Sequence, residues 1–260
     1  MIRLGAVSYL NTRPLVFGLE GQTKRFTLRF DVPAKCAELL HANGVDLGLI
    51  PSIEYPGHDY RIVPGVSIAS DGPVASVAVF TKVPIQRIRS IALDTSSRTS
   101  IALLRVLCAR WFGIEAQLRS MPPDLTRMLS ECDAALVIGD NALFLDHEAL
   151  GVEKVDLGEE WTGMTGLPFV YAFWAGRPGI VEADDVAALL QARDEGVKAT
   201  ARIGRELFPD NPDRAARADR YLRENVKYAL GEREVAGLQR FYELAAEIGA
   251  LPRADPPQFY

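Results

Sequence analysis

The chain has 260 residues, of which 48% are hydrophobic and 24% charged, enough for one α/β domain or two lobes with a sizeable core. Its 34 acidic and 29 basic residues are interspersed and give a formal net charge of -5, which argues against a nucleic-acid partner. No apolar run approaches the roughly 20 residues of a membrane-spanning helix, and the opening MIRLGAVSYL does not fit a signal peptide. We therefore expect a cytoplasmic protein that binds a small molecule.

The first predicted element is a buried strand over Arg3 to Val7, followed at once by the polar run SYLNTRPL from Ser8 to Leu15. Pro14 is typical of a first helical turn, so this run is expected to lead from strand into helix. Hydroxyl, amide and guanidinium groups at a helix start favour a carboxylate or phosphate ligand. The residues alone leave a second interpretation equally open, in which Asn11 or Thr12 only caps the helix.

A β-α-β pattern continues after this run. A helix is predicted over Pro33 to Ala42, and a short buried strand over Asp46 to Ile50 ends at Pro51-Ser52. Strand-like stretches follow at Arg61 to Ser70 and at Pro73 to Thr81. The second of these is apolar on both faces, so it is expected to lie in the centre of a sheet.

A second β-α-β series begins after the polar connector Lys82 to Arg89. Strands are predicted at Ser90 to Leu93 and at Ala134 to Ile138, with a strong helix from Thr99 to Phe112 between them. A further strand is predicted at Phe169 to Trp174. The second half of the chain therefore repeats the alternation seen in the first third.

The element order favours an α/β fold of two lobes joined by two crossings, with a ligand cleft between the lobes at the carboxyl ends of strands. Lobe 1 is expected to comprise residues 1–82 and 178–260, which include a helical region from Ala183 onward. Lobe 2 is expected to comprise residues 83–177. The crossings would then lie near the connector after residue 82 and the turn Gly176 to Gly179.

Two polar features lie where this cleft is expected. The run TSSRTS from Thr95 to Ser100 precedes a long helix, and its hydroxyls and backbone N–H groups favour an anionic ligand over a simple N-cap. Arg98 within it is either a ligand contact or the partner of a local salt bridge. Ser76 lies inside an apolar strand, where either a ligand or a backbone hydrogen bond would satisfy its hydroxyl.

Metal and disulfide chemistry are not expected. The three cysteines and three histidines form no metal-ligand spacing, and the cysteines lie in apolar contexts typical of buried free thiols. His147 has charged neighbours, so it is expected on the surface rather than as a general base.

Five blocks of the sequence resemble the chorismate dehydratases of the futalosine route to menaquinone. The blocks are VSYLNTRPL (Val7 to Leu15), DLGLIP (Asp46 to Pro51), GPVASV (Gly72 to Val77), LDTSSRTS (Leu93 to Ser100) and DLGEEWTGMTGLPFVYAFW (Asp156 to Trp174). They extend over most of the chain, and SYLNTRPL and TGLPFVYA are the most specific of them. The resemblance implies a periplasmic-binding-protein type II fold, in agreement with two lobes around a cleft.

The resemblance also implies an activity. A member of this family is a hydro-lyase that converts chorismate into 3-[(1-carboxyvinyl)oxy]benzoate and water, with no metal or organic cofactor. Asn11 and Ser76 match the positions expected at the reacting ring and the enolpyruvyl side, so they are the expected catalytic residues. The expected substrate-binding residues are Ser8, Thr12, Ser52, Ser97, Thr99 and Ser100. Because no histidine belongs to these motifs, the substrate's own side-chain carboxylate is the hypothesised base.

Two alternatives remain open at the level of sequence. The sister enzyme that forms 1,4-dihydroxy-6-naphthoate has a similar fold, but its usual loop is rich in proline and asparagine and differs from SYLNTRPL. A solute-binding protein for a small carboxylate would share the fold without catalysis. An export signal or a lipidated cysteine near the start would favour that alternative, and we expect neither.

Overall fold

The computed structural model describes residues 1–260 and contains two β-sheets with helices packed around them. The strands are β1 (Ile2–Val7), β2 (Phe26–Asp31), β3 (Leu47–Pro51), β4 (Arg61–Ile62), β5 (Ile68–Ser70), β6 (Val77–Thr81), β7 (Ser90–Asp94), β8 (Gln117–Met121), β9 (Ala134–Ile138), β10 (Glu153–Asp156) and β11 (Phe169–Gly176).

Nine α-helices and several shorter helical segments connect and cover these strands. The α-helices are α1 (Pro33–His41), α2 (Arg98–Leu107), α3 (Leu125–Glu131), α4 (Gly139–Leu143), α5 (Leu157–Thr165), α6 (Ala183–Lys198), α7 (Thr200–Leu207), α8 (Pro212–Arg220) and α9 (Glu232–Glu247). Short 3₁₀ helices lie at Leu10–Val16, Leu19–Gly21, Ser52–Glu54 and Ile85–Arg87, and π-helical turns at Cys108–Phe112 and Tyr221–Asn225. None of the helices combines the length and apolar character that a bilayer crossing requires.

The first sheet has the order β2-β1-β3-β11-β4, with β5 also paired to β11. Its strands β1, β2 and β3 are parallel, whereas β11 runs antiparallel to β3. The second sheet has the order β10-β6-β9-β7-β8, in which β7 is parallel to both β8 and β9. We call the part of the chain around the first sheet lobe 1 and the part around the second sheet lobe 2. The expected two-lobed α/β architecture is confirmed.

The strand pairing shows that the chain crosses between the lobes at positions different from those predicted from the sequence. Val77–Thr81 was expected in lobe 1 but pairs with β9 and β10 of the second sheet. Phe169–Gly176 was expected in lobe 2 but pairs with β3 of the first sheet. The chain therefore leaves lobe 1 between residues 70 and 77 and returns between 165 and 169. Both strands are entirely buried, and continuous apolar runs carry no information about which sheet they join.

The core explains why β6 is apolar on both faces. Val79 packs into a large cluster that includes residues of both lobes, and Phe80 faces a smaller cluster around Met128 of α3. This arrangement confirms that the strand is central. The three cysteines are buried free thiols, as expected.

Candidate active site

A cavity lies between the lobes and is lined by residues of both. The carboxyl ends of β1, β3 and β9 and the start of α2 meet there, which is where ligands bind in open α/β sheets. The lining residues from lobe 1 are Val7, Tyr9, Asn11, Pro33, Pro51, Ile68, Tyr171 and Ala172. Those from the first crossing and lobe 2 are Val74, Ser76, Val77, Ser97, Ser100, Ile138 and Gly139.

Within the SYLNTRPL run, Asn11 lies in a 3₁₀ helix, and its polar side chain lines the cavity. The 3₁₀ helix begins at Leu10 with Tyr9 as its N-cap residue, and no side chain caps it. Asn11 and Thr12 therefore lie inside the helix, and the capping interpretation is wrong. The amide oxygen Oδ1 of Asn11 is buried and has no hydrogen-bond partner in the protein. The Asn11 amide nevertheless lines the cavity, where it can form hydrogen bonds with a ligand.

The other polar residues of this run face away from the cavity. Val7 and Tyr9 line it, so the intervening Ser8 points to the opposite side of the extended chain and is exposed. Thr12 follows Asn11 by about 120° around the 3₁₀ helix and is buried in the lobe. Arg13 packs over the ring of Phe30, 5.1 Å from its centroid, rather than towards a ligand. The structure therefore places neither Ser8 nor Thr12 on the cavity wall, where both were expected to bind the substrate.

Ser76 reaches the cavity from a strained turn at the first crossing. The preceding residue, Ala75, has a φ of 66°, a left-handed conformation that is uncommon outside glycine. The Asp156 carboxylate holds this turn because it accepts hydrogen bonds from the N–H groups of Val74 and Ala75, at 3.0 and 2.6 Å. The Lys154 ammonium donates to the Ala75 carbonyl at 2.7 Å. The hydroxyl of Ser76 is thereby directed between the two lobes.

Ser97 and Ser100 present hydroxyl groups at the N-terminus of α2. Ser97 caps this helix by accepting the Ser100 N–H at 3.3 Å, and the two hydroxyl oxygens lie 3.0 Å apart. The first N–H groups of a helix have no intrahelical acceptor, and the helix dipole adds positive potential. Arg98 turns away and pairs with Glu54 at 3.0 Å, which is the local salt bridge considered from the sequence. This end of α2 offers neutral donors to an anionic group.

Ser52 and Thr99 join the lobes beside the cavity without lining it. The Ser52 hydroxyl donates to the Val170 carbonyl at 2.8 Å, and Thr99 Oγ1 accepts the Ile53 N–H at 3.2 Å. The two hydroxyl oxygens are 3.5 Å apart. These contacts satisfy both side chains within the protein, so the structure gives them a packing role where direct substrate contact was expected.

Two tyrosines of the cavity wall were not singled out from the sequence. The Tyr9 hydroxyl donates to Ser96 at 3.1 Å, and the Tyr171 hydroxyl lies 3.2 Å from that of Ser70. Burial raises the pKa of both phenols, so both remain neutral donors. Each lies within a block already noted for its motif. The polar neighbours of Tyr9 were a signal that could have identified it, whereas Tyr171 lies in an apolar run and has no such signal.

None of the lining residues carries a formal charge, and more than half of the lining is apolar or aromatic. Such a cavity can enclose a hydrophobic ring and hold anionic substituents by neutral hydrogen-bond donors. The lining also includes no histidine or carboxylate that could act as a general base. A proton-transfer reaction in this cavity would need a base carried by the ligand. His147 is remote from it, with Nδ1 3.2 Å from the Val152 carbonyl oxygen.

Structural comparison relates this fold to binding proteins. Protein AF1704 from Archaeoglobus fulgidus is similar, with a TM-score of 0.76 at 19% identity over 96% of this chain and 98% of that one. The alkanesulfonate-binding protein SsuA from Xanthomonas axonopodis pv. citri, bound to MOPS, has a TM-score of 0.69 at 17% identity over 98% and 95% of the two chains. At these identities the likeness shows the fold alone, which is periplasmic-binding-protein-like as expected.

Sequence comparison identifies the family. A chorismate dehydratase from Thermus thermophilus is 32% identical in an alignment of 277 positions that covers 99% of this chain and 97% of the relative. A chorismate dehydratase from Campylobacter jejuni is 29% identical over 174 positions, or 65% and 64% of the two chains. A family model described as menaquinone biosynthesis matches residues 2–247. The chain therefore belongs to the menaquinone biosynthesis family in which the chorismate dehydratases are found.

Proposed function

We propose that this protein is a chorismate dehydratase, a hydro-lyase that forms 3-[(1-carboxyvinyl)oxy]benzoate and water in the cytoplasmic futalosine route to menaquinone. The observation that carries the proposal is the uncharged cavity between the lobes, which Asn11 and Ser76 line together with Ser97 and Ser100. The named relatives support it because one of them aligns along nearly the full length of the chain.

The reaction removes a ring proton and the neighbouring hydroxyl of chorismate. The C–H bond beside the enolpyruvyl ether breaks, and its electron pair first spreads over the adjacent double bond into the ring carboxylate. Those electrons return to form the third ring double bond as the C–O bond to the hydroxyl breaks. The hydroxide takes up one proton and leaves as water. Aromatisation of the ring drives the reaction forward.

Ser97 and Ser100 would bind the ring carboxylate at the N-terminus of α2. Charge from the broken C–H bond is delocalised onto that carboxylate, so donors placed there stabilise the transition state more than the substrate. Their own hydrogen bond of 3.0 Å fixes the two hydroxyls relative to each other before the substrate arrives. Thr99 would support this helix end through its contact with Ile53 rather than touch the substrate.

Asn11 and Ser76 would hold the other side of the ring. The Asn11 amide N–H donates to the oxygen of the hydroxyl that leaves, and the Ser76 hydroxyl donates to the enolpyruvyl group. The enolpyruvyl carboxylate of the substrate itself removes the ring proton, since the cavity lining supplies no basic side chain. The protein's contribution is then orientation and exclusion of water, which suits a cavity enclosed by two lobes.

Incubation of the protein with chorismate followed by mass spectrometry tests this proposal. We expect a product lighter than chorismate by one water, with the spectrum of a substituted benzoate. Asn11→Ala should lower kcat/KM by about 100-fold, since it removes one oriented polar group from the reacting ring. Asn141→Ala is the matched control because Asn141 is exposed and does not line the cavity.

Two outcomes would contradict the proposal. Saturable binding of chorismate without any conversion would favour a solute-binding protein, and an Asn11→Ala protein with the parental rate would remove Asn11 from the mechanism.

A further inference from the structure

A buried phenol connects the two residues assigned to catalysis. The Tyr221 hydroxyl lies 2.8 Å from the Ser76 hydroxyl, although the two residues are separated by 145 positions in the chain. Asn11 is a neighbour of this phenol and lowers its pKa. Tyr221 is 2% exposed and does not line the cavity. It therefore lies farther from the cavity than Asn11 and Ser76, and it can affect a bound substrate only through these two residues.

We propose that Tyr221 is a positioning residue of this active site, which orients the Ser76 hydroxyl proton towards the substrate. This inference rests on the proposed function. In the arrangement we infer, the phenol O–H donates to Ser76 Oγ. Ser76 is left to direct its own proton into the cavity.

The properties of Tyr221 support this direction of donation. Burial raises the pKa of the phenol, with smaller opposing effects from its hydrogen-bonding contacts with Ser76 and Asn11, so it keeps its proton. The cavity then receives one hydroxyl donor at a fixed position.

The local backbone also distinguishes Tyr221 from an ordinary core tyrosine. It begins the π-helical turn Tyr221–Asn225 that follows α8, and such turns are frequent at functional sites. Tyr228, seven residues later, is a comparably buried phenol whose hydroxyl has no partner. Burial of a tyrosine in this region therefore does not by itself require a hydrogen bond, and Tyr228 offers a matched control.

Steady-state kinetics of Tyr221→Phe and Tyr228→Phe with chorismate test the proposal. Tyr221→Phe keeps the ring and removes the hydroxyl, and we expect kcat to fall by about 100-fold because Ser76 loses its orientation. The KM should change by less than about threefold, since the carboxylate contacts at α2 are untouched. Tyr228→Phe should keep kcat within about twofold of wild type at a similar thermal midpoint.

A double-mutant comparison separates positioning from a general structural role. If Tyr221 acts through Ser76, Tyr221→Phe in a Ser76→Ala background should cost much less than in the wild-type background. Equal losses in both backgrounds, equal losses for Tyr221→Phe and Tyr228→Phe, or a Tyr221→Phe protein within about twofold of wild type would each overturn the inference. A wild-type protein without turnover would instead overturn the proposed function, and the inference with it.

A second measurement needs no substitution at Tyr221. The chain contains 8 tyrosines, and the protein labelled with ¹³C at tyrosine Cζ gives one resonance for each. Ser76→Ala removes the partner of the Tyr221 hydroxyl, so one of these resonances should shift clearly. It should be the same resonance that moves when the reaction product is added to the wild-type protein. If no tyrosine resonance responds to Ser76→Ala, the hydrogen bond is absent and the proposal fails.

Discussion

Ala75 shows how a single residue places a functional side chain. A left-handed conformation costs a residue with a Cβ about 1–2 kcal/mol, and here it is stabilised by the Asp156 carboxylate and the Lys154 ammonium. The conformation turns the chain between the lobes and brings Ser76 to within 2.8 Å of Tyr221. The strain is therefore located beside a residue assigned to catalysis.

Substitutions at Ala75 should separate backbone strain from side-chain volume. Ala75→Gly relieves the left-handed strain but adds flexibility to the unfolded chain, so we expect the free energy of unfolding to change by less than about 1 kcal/mol. Ala75→Val should lower it by about 1–3 kcal/mol, because a β-branched residue fits this conformation poorly. Urea unfolding of both variants measures the difference. Equal stability of Ala75→Val and wild type would contradict the assignment of strain.

The buried carboxylate of Asp140 lowers the free energy of unfolding when it is ionised. Its carboxylate accepts the Leu10 N–H across the lobes at 3.1 Å, yet burial raises its pKa above the ordinary aspartate value. A carboxyl with a raised folded pKa stabilises the protein fully below its unfolded pKa and loses that stabilisation as the pH rises through the folded pKa. At neutral pH the ionised Asp140 therefore opposes folding.

Asp140→Asn should increase the free energy of unfolding at pH 7, because the amide oxygen can still accept from Leu10 without a buried charge. The increase should shrink as the pH is lowered towards about 3.9, the ordinary aspartate value. Asp133→Asn is the control, in which the free energy of unfolding at pH 7 should decrease. Hydrogen bonds to Asp133 lower its pKa, and the bond from the Arg89 N–H has the largest effect. Urea unfolding across this pH range measures both, and a loss of stability in Asp140→Asn at pH 7 would contradict the argument.

At the scale of elements, the position of Asn11 depends on the packing of α6 against the 3₁₀ helix Leu10–Val16. Gly196 of α6 is buried against Pro14, and a Cβ at this glycine would overlap the Pro14 carbonyl oxygen and lie 2.5 Å from its Cα. The absence of a side chain thus permits close contact between the two helices. Any group at this position would displace the helix that carries Asn11.

Gly196→Ala should lower the free energy of unfolding by about 1–3 kcal/mol and also reduce chorismate turnover, because overpacking moves the 3₁₀ helix. Gly163→Ala in α5 is the matched control, since its Cβ would meet only the Trp111 side chain at an ordinary 3.7 Å. There the helix propensity of alanine should raise stability by up to about 1 kcal/mol. Thermal unfolding and turnover together test the pair. Parental stability and activity in Gly196→Ala would contradict the predicted overlap.

At the scale of the whole molecule, two sets of side-chain contacts join the lobes. Arg98 of lobe 2 pairs with Glu54 of lobe 1. The Phe144 ring of lobe 2 contacts Phe208 at 5.2 Å between centroids and lies under the Arg214 guanidinium at 4.1 Å. A rotation that opens the lobes to admit a ligand stays a prediction.

Phe144→Ala should favour an open arrangement. The aromatic pair and the cation–π contact together amount to about 1–2 kcal/mol, so we expect the KM for chorismate to rise by about tenfold. Small-angle scattering of the ligand-free variant should give a larger radius of gyration than wild type. Leu150→Ala is the control because this exposed residue of lobe 2 is not part of the Phe144 contact. Unchanged scattering and KM would show that this contact does not hold the lobes together.

The sequence alone predicted most elements and part of the site. The strand Ala134–Ile138 and the helix after Pro33 agree closely with their apolar patterns, because periodic burial is a local property of the chain. Asn11, Ser76, Ser97 and Ser100 were expected at the cleft, and the structure brings all four to one cavity. Ser8 differs because it alternates with Val7 and Tyr9 along the extended chain, and Thr12 differs because the helix that begins at Leu10 turns it away from the cavity.

The sequence by itself determined the alternation of strands and helices, the two-lobed class and the family, because these depend on local periodicity and on contiguous motifs. Only the tertiary structure decided that β6 belongs to the second sheet and β11 to the first, and that Tyr221 contacts Ser76. Apolar strands are compatible with either sheet, so hydrogen-bond register across the fold makes that choice. Likewise, neither sequence segment by itself predicts the contact between Ser76 and Tyr221, which are 145 positions apart, because this contact forms only when the two lobes pack together.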